Sequence, residues 1–124
     1  MENLQLLSVN VRGLNTDEKR KKCYAWLNEL KTDIIFLQET HFIEKNEKKY
    51  NFGWRGKLYH AFSNSTYSRG VSILFKENID VQVYNVNRSN DGRKLLLNLE
   101  INEYKFTVVI FMRQTIIKTS LKSF

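Results

Sequence analysis

An α/β fold is what this sequence predicts, and three observations carry the reading. An apolar run at Leu4 to Val11 and a second at Ile34 to Leu37 flank a stretch with helical spacing. From Leu58 onward the chain breaks into short apolar runs separated by turn residues, the pattern of strands. With 124 residues there is enough chain for one domain with a modest core.

Leu4 to Val11 is interrupted only by Gln5, Ser8 and Asn10, and it stops at Arg12-Gly13. Strict alternation is lost, which predicts a strand covered on both faces. Asn15 or Thr16 then caps a helix. Asn15 with Glu18 three positions on resembles a capping box, and Asp17 and Glu18 suit the positive helix N-terminus. Cys23, Trp26, Leu27 and Leu30 give one apolar stripe. Lys19 to Lys22 is a basic run whose ordinary reading is a solvated helix face.

Ile34 to Leu37 is entered through Asp33 and left through Gln38-Glu39. Strand, crossover helix and strand make a βαβ-like opening, so the two strands should lie parallel. His41 to Lys57 is polar and reads as a loop with room for a helical turn. Leu58 to Phe62, Gly70 to Phe75 and Ile79 to Val86 read as short strands. Asn90-Asp91-Gly92 is a turn signal, and Leu95 to Ile101 with Tyr104 to Phe111 forms a hairpin around Asn102-Glu103. That makes about seven strands and one clear helix. Met112 to Phe124 fits neither a strand nor a helix period.

Composition narrows the class. The chain is 42% hydrophobic and 27% charged, ordinary for a soluble globular protein. No apolar run approaches the roughly 18 residues of a membrane span. Met1 leads directly into a strand-like run, so no signal peptide is expected. Cys23 is the lone cysteine, which builds no disulfide framework and suits a reducing, intracellular compartment. Twenty basic residues against thirteen acidic ones give a net charge of +7, which favours a polyanionic partner such as nucleic acid.

Two polar residues sit where strands end, Asn10 on the first and Glu39 on the second. If the strands are parallel neighbours, both emerge at the C-terminal edge, where open α/β sheets place ligands. A carboxylate there suits magnesium, which needs one or two protein carboxylates and keeps several waters. An adjacent amide can bond a phosphate oxygen or hold the carboxylate. The bland alternative for both is a solvated edge residue.

Four segments tip that balance. LSVNVRGLN (Leu7 to Asn15), WLNELKTDIIFLQETHF (Trp26 to Phe42), SRGVSILF (Ser68 to Phe75) and DGRKLLLNLEI (Asp91 to Ile101) occur in the order and spacing of one family. They resemble the N-terminal half of the endonuclease/exonuclease/phosphatase family, and most closely the apurinic-endonuclease-like domain of LINE-type (non-LTR) retrotransposons. The resemblance implies a two-sheet α/β sandwich of the DNase I-like kind, here truncated to its N-terminal half. It implies hydrolysis of phosphodiester bonds in DNA with Mg2+, in the nucleus if the protein functions. Glu39 would then be the metal ligand, Asn10 a site residue near the scissile phosphate, and Gln38 a support for Glu39. The family's catalytic histidine comes near its C-terminus, so His41 reads as a rim residue and His60 as a strand residue without a role.

The resemblance stops near residue 110. Family members continue with a motif like N-x-Y-A-P-N, where this chain reads V-V-I-F-M-R-Q-T-I-I (Val108 to Ile117). The family's later aspartate, second asparagine and Asp-His pair have no counterpart. Ile110 to Thr115 can be encoded ATA TTT ATG CGC CAA ACA, and one A placed before it reads N-I-Y-A-P-N. A one-base deletion near codon 110 is therefore expected, with residues 1–109 a partial domain and 110–124 an out-of-frame tail. Complete absence of proline, where about six are expected, fits that view. Strands that lose half of their second sheet would expose apolar surface and open edges, and so promote association. The readings that follow are an inactive endonuclease fragment, a DNA-binding module without cleavage, and a translated remnant with no function. A phosphatase of inositol lipids is the weaker family alternative, since no phosphoinositide-specific motif is present.

Overall fold

The computed structural model describes residues 4–120. In chain order the elements are β1 (Leu6–Asn10), α1 (Asp17–Glu29), β2 (Ile34–Gln38), a 3-10 turn (Glu44–Asn46), α2 (Glu47–Asn51), β3 (Leu58–Ala61) and β4 (Val71–Phe75). They continue with β5 (Val81–Arg88), β6 (Lys94–Ile101), β7 (Tyr104–Phe111) and β8 (Gln114–Ser120). The first sheet runs β1-β2-β4-β3 and the second is the meander β5-β6-β7-β8. Strands β1 and β2 pair in parallel, as the βαβ opening predicts, while β4 is antiparallel to both of its neighbours.

The two sheets pack face to face. Ile34, Phe36, Val71, Ile73 and Phe75 of the first meet Leu95, Leu97, Leu99, Val108 and Ile110 of the second. Ile35, Leu37 and Leu74 turn to the opposite face, where Leu14, Tyr24 and Leu27 with Phe42, Tyr50 and Trp54 cover them. Strands β2 and β4 are thus buried on both faces, which is why they read as unbroken apolar runs. Strand β6 shows strict alternation, Leu95, Leu97, Leu99 and Ile101 inward, because only one of its faces is covered.

Three expectations need correction. Strand β1 is not covered on both faces: it is the edge of its sheet, and Leu6 is 44% exposed. Its Ser8 Oγ lies 3.2 Å from Thr115 Oγ1, so β1 sits above β8 and the two open edges share one side of the sandwich. Of the expected α1 stripe Leu27 is buried and Cys23 and Leu30 pack against the core, but Trp26 is 46% exposed and the other buried positions are Arg20 and Tyr24. Arg20 can be buried because its guanidinium donates to the carbonyls of Leu14 and Asn15 and to Asp17 Oδ1. Finally, Gln114–Ser120 forms β8, paired with β7 from Lys105 to Phe111. No helix among the described residues is long and apolar enough to cross a membrane.

Candidate active site at the end of the first sheet

Strands β1 and β2 run in register to Asn10 and Gln38, so residues 10 and 39 leave the sheet side by side. The pairing continues past the strand ends. Val11 N–H donates to the Gln38 carbonyl, Gly13 N–H to that of Glu39 and Leu14 N–H to that of Thr40. On the other side Thr40 N–H donates to Gly70 O and His41 N–H to Arg69 O. Residues 38–41 are therefore clamped between two backbone segments.

Within that clamp the backbone is strained. Arg12, Glu39, His41 and Arg69 have φ of 50°, 56°, 61° and 61°. A left-handed conformation costs an L-residue about 1–2 kcal/mol, and such strain persists only where surrounding structure over-determines it. Glu39 takes this conformation as the first residue after β2 ends.

There Asn10 Nδ2 donates to Glu39 Oε2 at 2.5 Å, and Asn10 Oδ1 accepts from Arg12 N–H at 3.2 Å. The second bond sets which end of the amide faces Glu39. Lys19 donates from Nζ to the carbonyls of Val11 and Arg12 and so ties down the loop that follows Asn10. Gln38 faces the second sheet, where Nε2 donates to Phe111 O at 3.2 Å. It thus ties the end of β2 to β7 and makes no bond to the Glu39 side chain.

Sequence reasoning passed over Gly70 and Gly92, although both stand in segments that carried the resemblance. A Cβ on Gly70 would lie 2.5 Å from Thr40 Oγ1, and one on Gly92 would lie 2.8 Å from Gly70 N. Gly70 N–H donates to Gly92 O at 3.0 Å. The missing side chains let the β5–β6 turn, the start of β4 and the end of β2 meet under the site. Gly and Arg in S-R-G and the turn N-D-G were the available signals.

His41 lies beside the site, with Nδ1 against Gly13, and burial lowers its pKa while the nearby Glu39 carboxylate opposes that shift. His60 is elsewhere, on β3. Its Nε2 faces Asn51 Oδ1 at 2.9 Å and Nδ1 faces Ser72 Oγ at 2.6 Å, so the neutral ring carries its proton on Nε2. Burial pushes its pKa down to about 3. It is a core hydrogen-bonding residue packed edge-on against Phe42.

For magnesium the donor chemistry fits a single-carboxylate site that keeps most of its waters. Glu39 is only half-buried and carries one oriented oxygen contact, from Asn10. Among the described residues no group of three His, Cys, Asp or Glu side chains gathers to hold a metal.

The model of the Endonuclease/Exonuclease/phosphatase family matches residues 7–116. A Xenopus laevis protein described as Transposon TX1 uncharacterized 149 kDa protein is 28% identical over 101 residues, which are 81% of this chain and 7% of that one. Among solved structures, the endonuclease domain of TRAS1, a telomere-specific non-LTR retrotransposon, superposes with a TM-score of 0.55 at 15% identity. That superposition covers 90% of this chain and 46% of the TRAS1 domain, so the chain spans about half of that solved relative. At this identity it shows a shared fold: two sheets in the DNase I-like arrangement.

Proposed function

The chain belongs to the endonuclease/exonuclease/phosphatase family, and on that premise we propose that it is part of a magnesium-dependent DNA endonuclease of the retrotransposon type. The observation that carries this reading is the hydrogen bond from Asn10 to Glu39 at the ends of two parallel strands. Glu39 would hold the Mg2+, and the ion, when bound, supplies stabilisation of charge on the phosphate oxygens. Asn10 orients the carboxylate and leaves its amide at the rim where a phosphate would lie. Gln38 supports the pair indirectly, by fixing the end of β2 to β7. DNA is the partner this assigns, consistent with the +7 charge, and the nucleus the place of action.

Glu39 is the one candidate metal carboxylate at this rim, and among the described residues no group of three His, Cys, Asp or Glu side chains forms around it. Cleavage also requires a group to activate water and one to protonate the leaving oxygen. We therefore assign these 124 residues metal and phosphate positioning without efficient hydrolysis.

The test separates the two parts. Mn2+ in place of Mg2+ should broaden backbone NMR signals of residues 10–13 and 38–41, and Glu39→Ala should abolish that broadening. Broadening centred elsewhere would remove Glu39 from the metal site. Supercoiled plasmid incubated with the chain and Mg2+ should stay unnicked above the Glu39→Ala control. Nicking that depends on Glu39 would show a complete site and overturn the assignment of inactivity.

A further inference from the structure

A second feature lies away from the Asn10–Glu39 rim and shares no residue with it. A groove of about 1050 Å³ runs between α1 and the segment around α2. Asp17, Arg20, Lys21, Tyr24, Ala25 and Asn28 form its α1 wall, and Lys48, Lys49, Phe52, Gly53, Arg55 and Glu77 form the other.

The charge in this groove is unbalanced: five cations face two carboxylates. Arg20 is committed to Asp17 and to the carbonyls at the start of α1, and it lies over the Tyr50 ring. Asp17 is held below the usual carboxylate range by its hydrogen bond from Arg20, with Lys49 and Lys21 adding to the effect. Arg55 reaches Glu77 at 3.9 Å. Lys21, Lys48 and Lys49 remain exposed and without a salt bridge among the described residues. Beside them stands Phe52, 79% exposed, following the last turn of α2. A phenyl ring left in water next to three free ammonium groups serves no packing purpose in the core.

We propose that this groove binds single-stranded nucleic acid, with phosphates on Lys21, Lys48 and Lys49 and a base stacked on Phe52. Cations that track a backbone and an aromatic platform for bases are the two parts such sites combine. The α1 wall extends from Asp17 to Asn28, about 16 Å at 1.5 Å per residue. That length exceeds one nucleotide and suits a short stretch of strand. A free acidic peptide would use the lysines but would have no use for the ring face, so Phe52 decides for a base-bearing polyanion. The assignment does not rest on Glu39 or on any cleavage.

Fluorescence anisotropy with labelled dT12 tests it, using the full chain. Wild type should bind with a log–log salt slope of roughly −2, since each lysine–phosphate contact on a single strand contributes about −0.7. Lys48→Ala/Lys49→Ala should flatten the slope by about 1.4. Phe52→Ala should weaken binding about tenfold at unchanged slope, and Phe52→Tyr should restore it. Arg113→Ala/Lys118→Ala removes the same charge from the second sheet and should have little effect. Absence of dT12 binding by wild type, equal losses in the control pair, or indifference to Phe52→Ala would each overturn the groove. Because all these positions are exposed, unchanged melting temperatures should accompany every variant.

Discussion

Asn10 and Glu39, 29 residues apart in sequence, meet as donor and acceptor at the common end of β1 and β2. The geometry depends on an unusual backbone: Glu39 sits at φ 56° and its carbonyl is held by Gly13 N–H. Asn10 is therefore a positioning residue for the carboxylate, and removing its amide should cost metal affinity. Asn10→Ala should weaken Mn2+ binding about tenfold, the range seen when a ligand loses its supporting hydrogen bond. Asn10→Asp should behave differently, because a second carboxylate adds a ligand while losing the donor. Its Mn2+ affinity should equal or exceed that of wild type. An Asn10→Ala variant with unchanged affinity would assign the amide to phosphate contact alone.

The strain at Glu39 gives a separate expectation. Glycine there would relieve about 1–2 kcal/mol of left-handed strain but lose about 0.5–1 kcal/mol to greater freedom of the unfolded chain. Glu39→Gly should thus melt within a few degrees of wild type while losing the Mn2+ signal. A large fall in melting temperature would mean that the carboxylate is part of the packing and no site residue.

Much of this was legible in sequence, for a physical reason. Parallel strands β1 and β2 announce themselves by Ile34 to Leu37, an unbroken apolar run that only a strand buried on both faces tolerates. The hairpin at Asn102-Glu103 was legible because two polar residues, the first an Asn that tolerates positive φ, separate two apolar runs; in the structure both residues adopt it, at 51° and 70°. What escaped depends on neighbours distant in sequence. Arg20 reads as part of a basic surface run, yet it is buried because carbonyls from the preceding loop receive it. Leu6 reads as core, yet it is 44% exposed because β1 is the edge strand of its sheet. Gln38 adjoins Glu39 in sequence, but strand alternation turns it toward Phe111.

Two glycines with nearly equal φ should respond very differently to the same change. Gly70 and Gly53 have φ of 90° and 89°. An added Cβ at Gly53 meets nothing nearer than Tyr24 Cδ2 at 3.9 Å, whereas at Gly70 it would stand 2.5 Å from Thr40 Oγ1 and 3.1 Å from His41 N. Gly53→Ala should therefore cost only the backbone strain, about 1–2 kcal/mol. Gly70→Ala adds overpacking against the segment that carries Glu39, and should cost about 1–3 kcal/mol more. Urea denaturation of the two variants would measure the difference, and equal midpoints would show that the rim is not close-packed at Gly70.

His60 should make the fold acid-sensitive before the carboxylates do. Its folded pKa is pushed down to about 3 by burial, with Arg88 adding to the shift, against about 6.5 in an unfolded chain. Between those values the unfolded state binds the extra proton, so stability is intact above about pH 6.5 and falls as pH drops toward 3. The slope is about 1.4 kcal/mol per pH unit. From pH 7.5 to 5.5 the melting temperature should fall by about 5 °C. A His60→Gln variant, which has no such proton to gain, should lose most of that slope. A wild type that melts at the same temperature across this range would contradict the neutral, doubly bonded ring.

The β7–β8 turn bears on how the tail arose. Its two central residues are Met112 and Arg113, between the paired Phe111 and Gln114. Two-residue hairpin turns favour positive φ and residues such as Asn, Asp and Gly, as at Asn102-Glu103. Met112 and Arg113 supply neither the residue types nor the positive φ. On the proposal that the tail is read out of frame, such a mismatch is expected, since residues so encoded would not have been selected for a turn. We expect the encoding DNA to read N-I-Y-A-P-N from codon 110 once a single base is restored, and to continue in that frame as endonuclease-like sequence. Sequencing that locus decides the matter: a downstream frame without such similarity would make the Met-Arg turn a native feature of this chain.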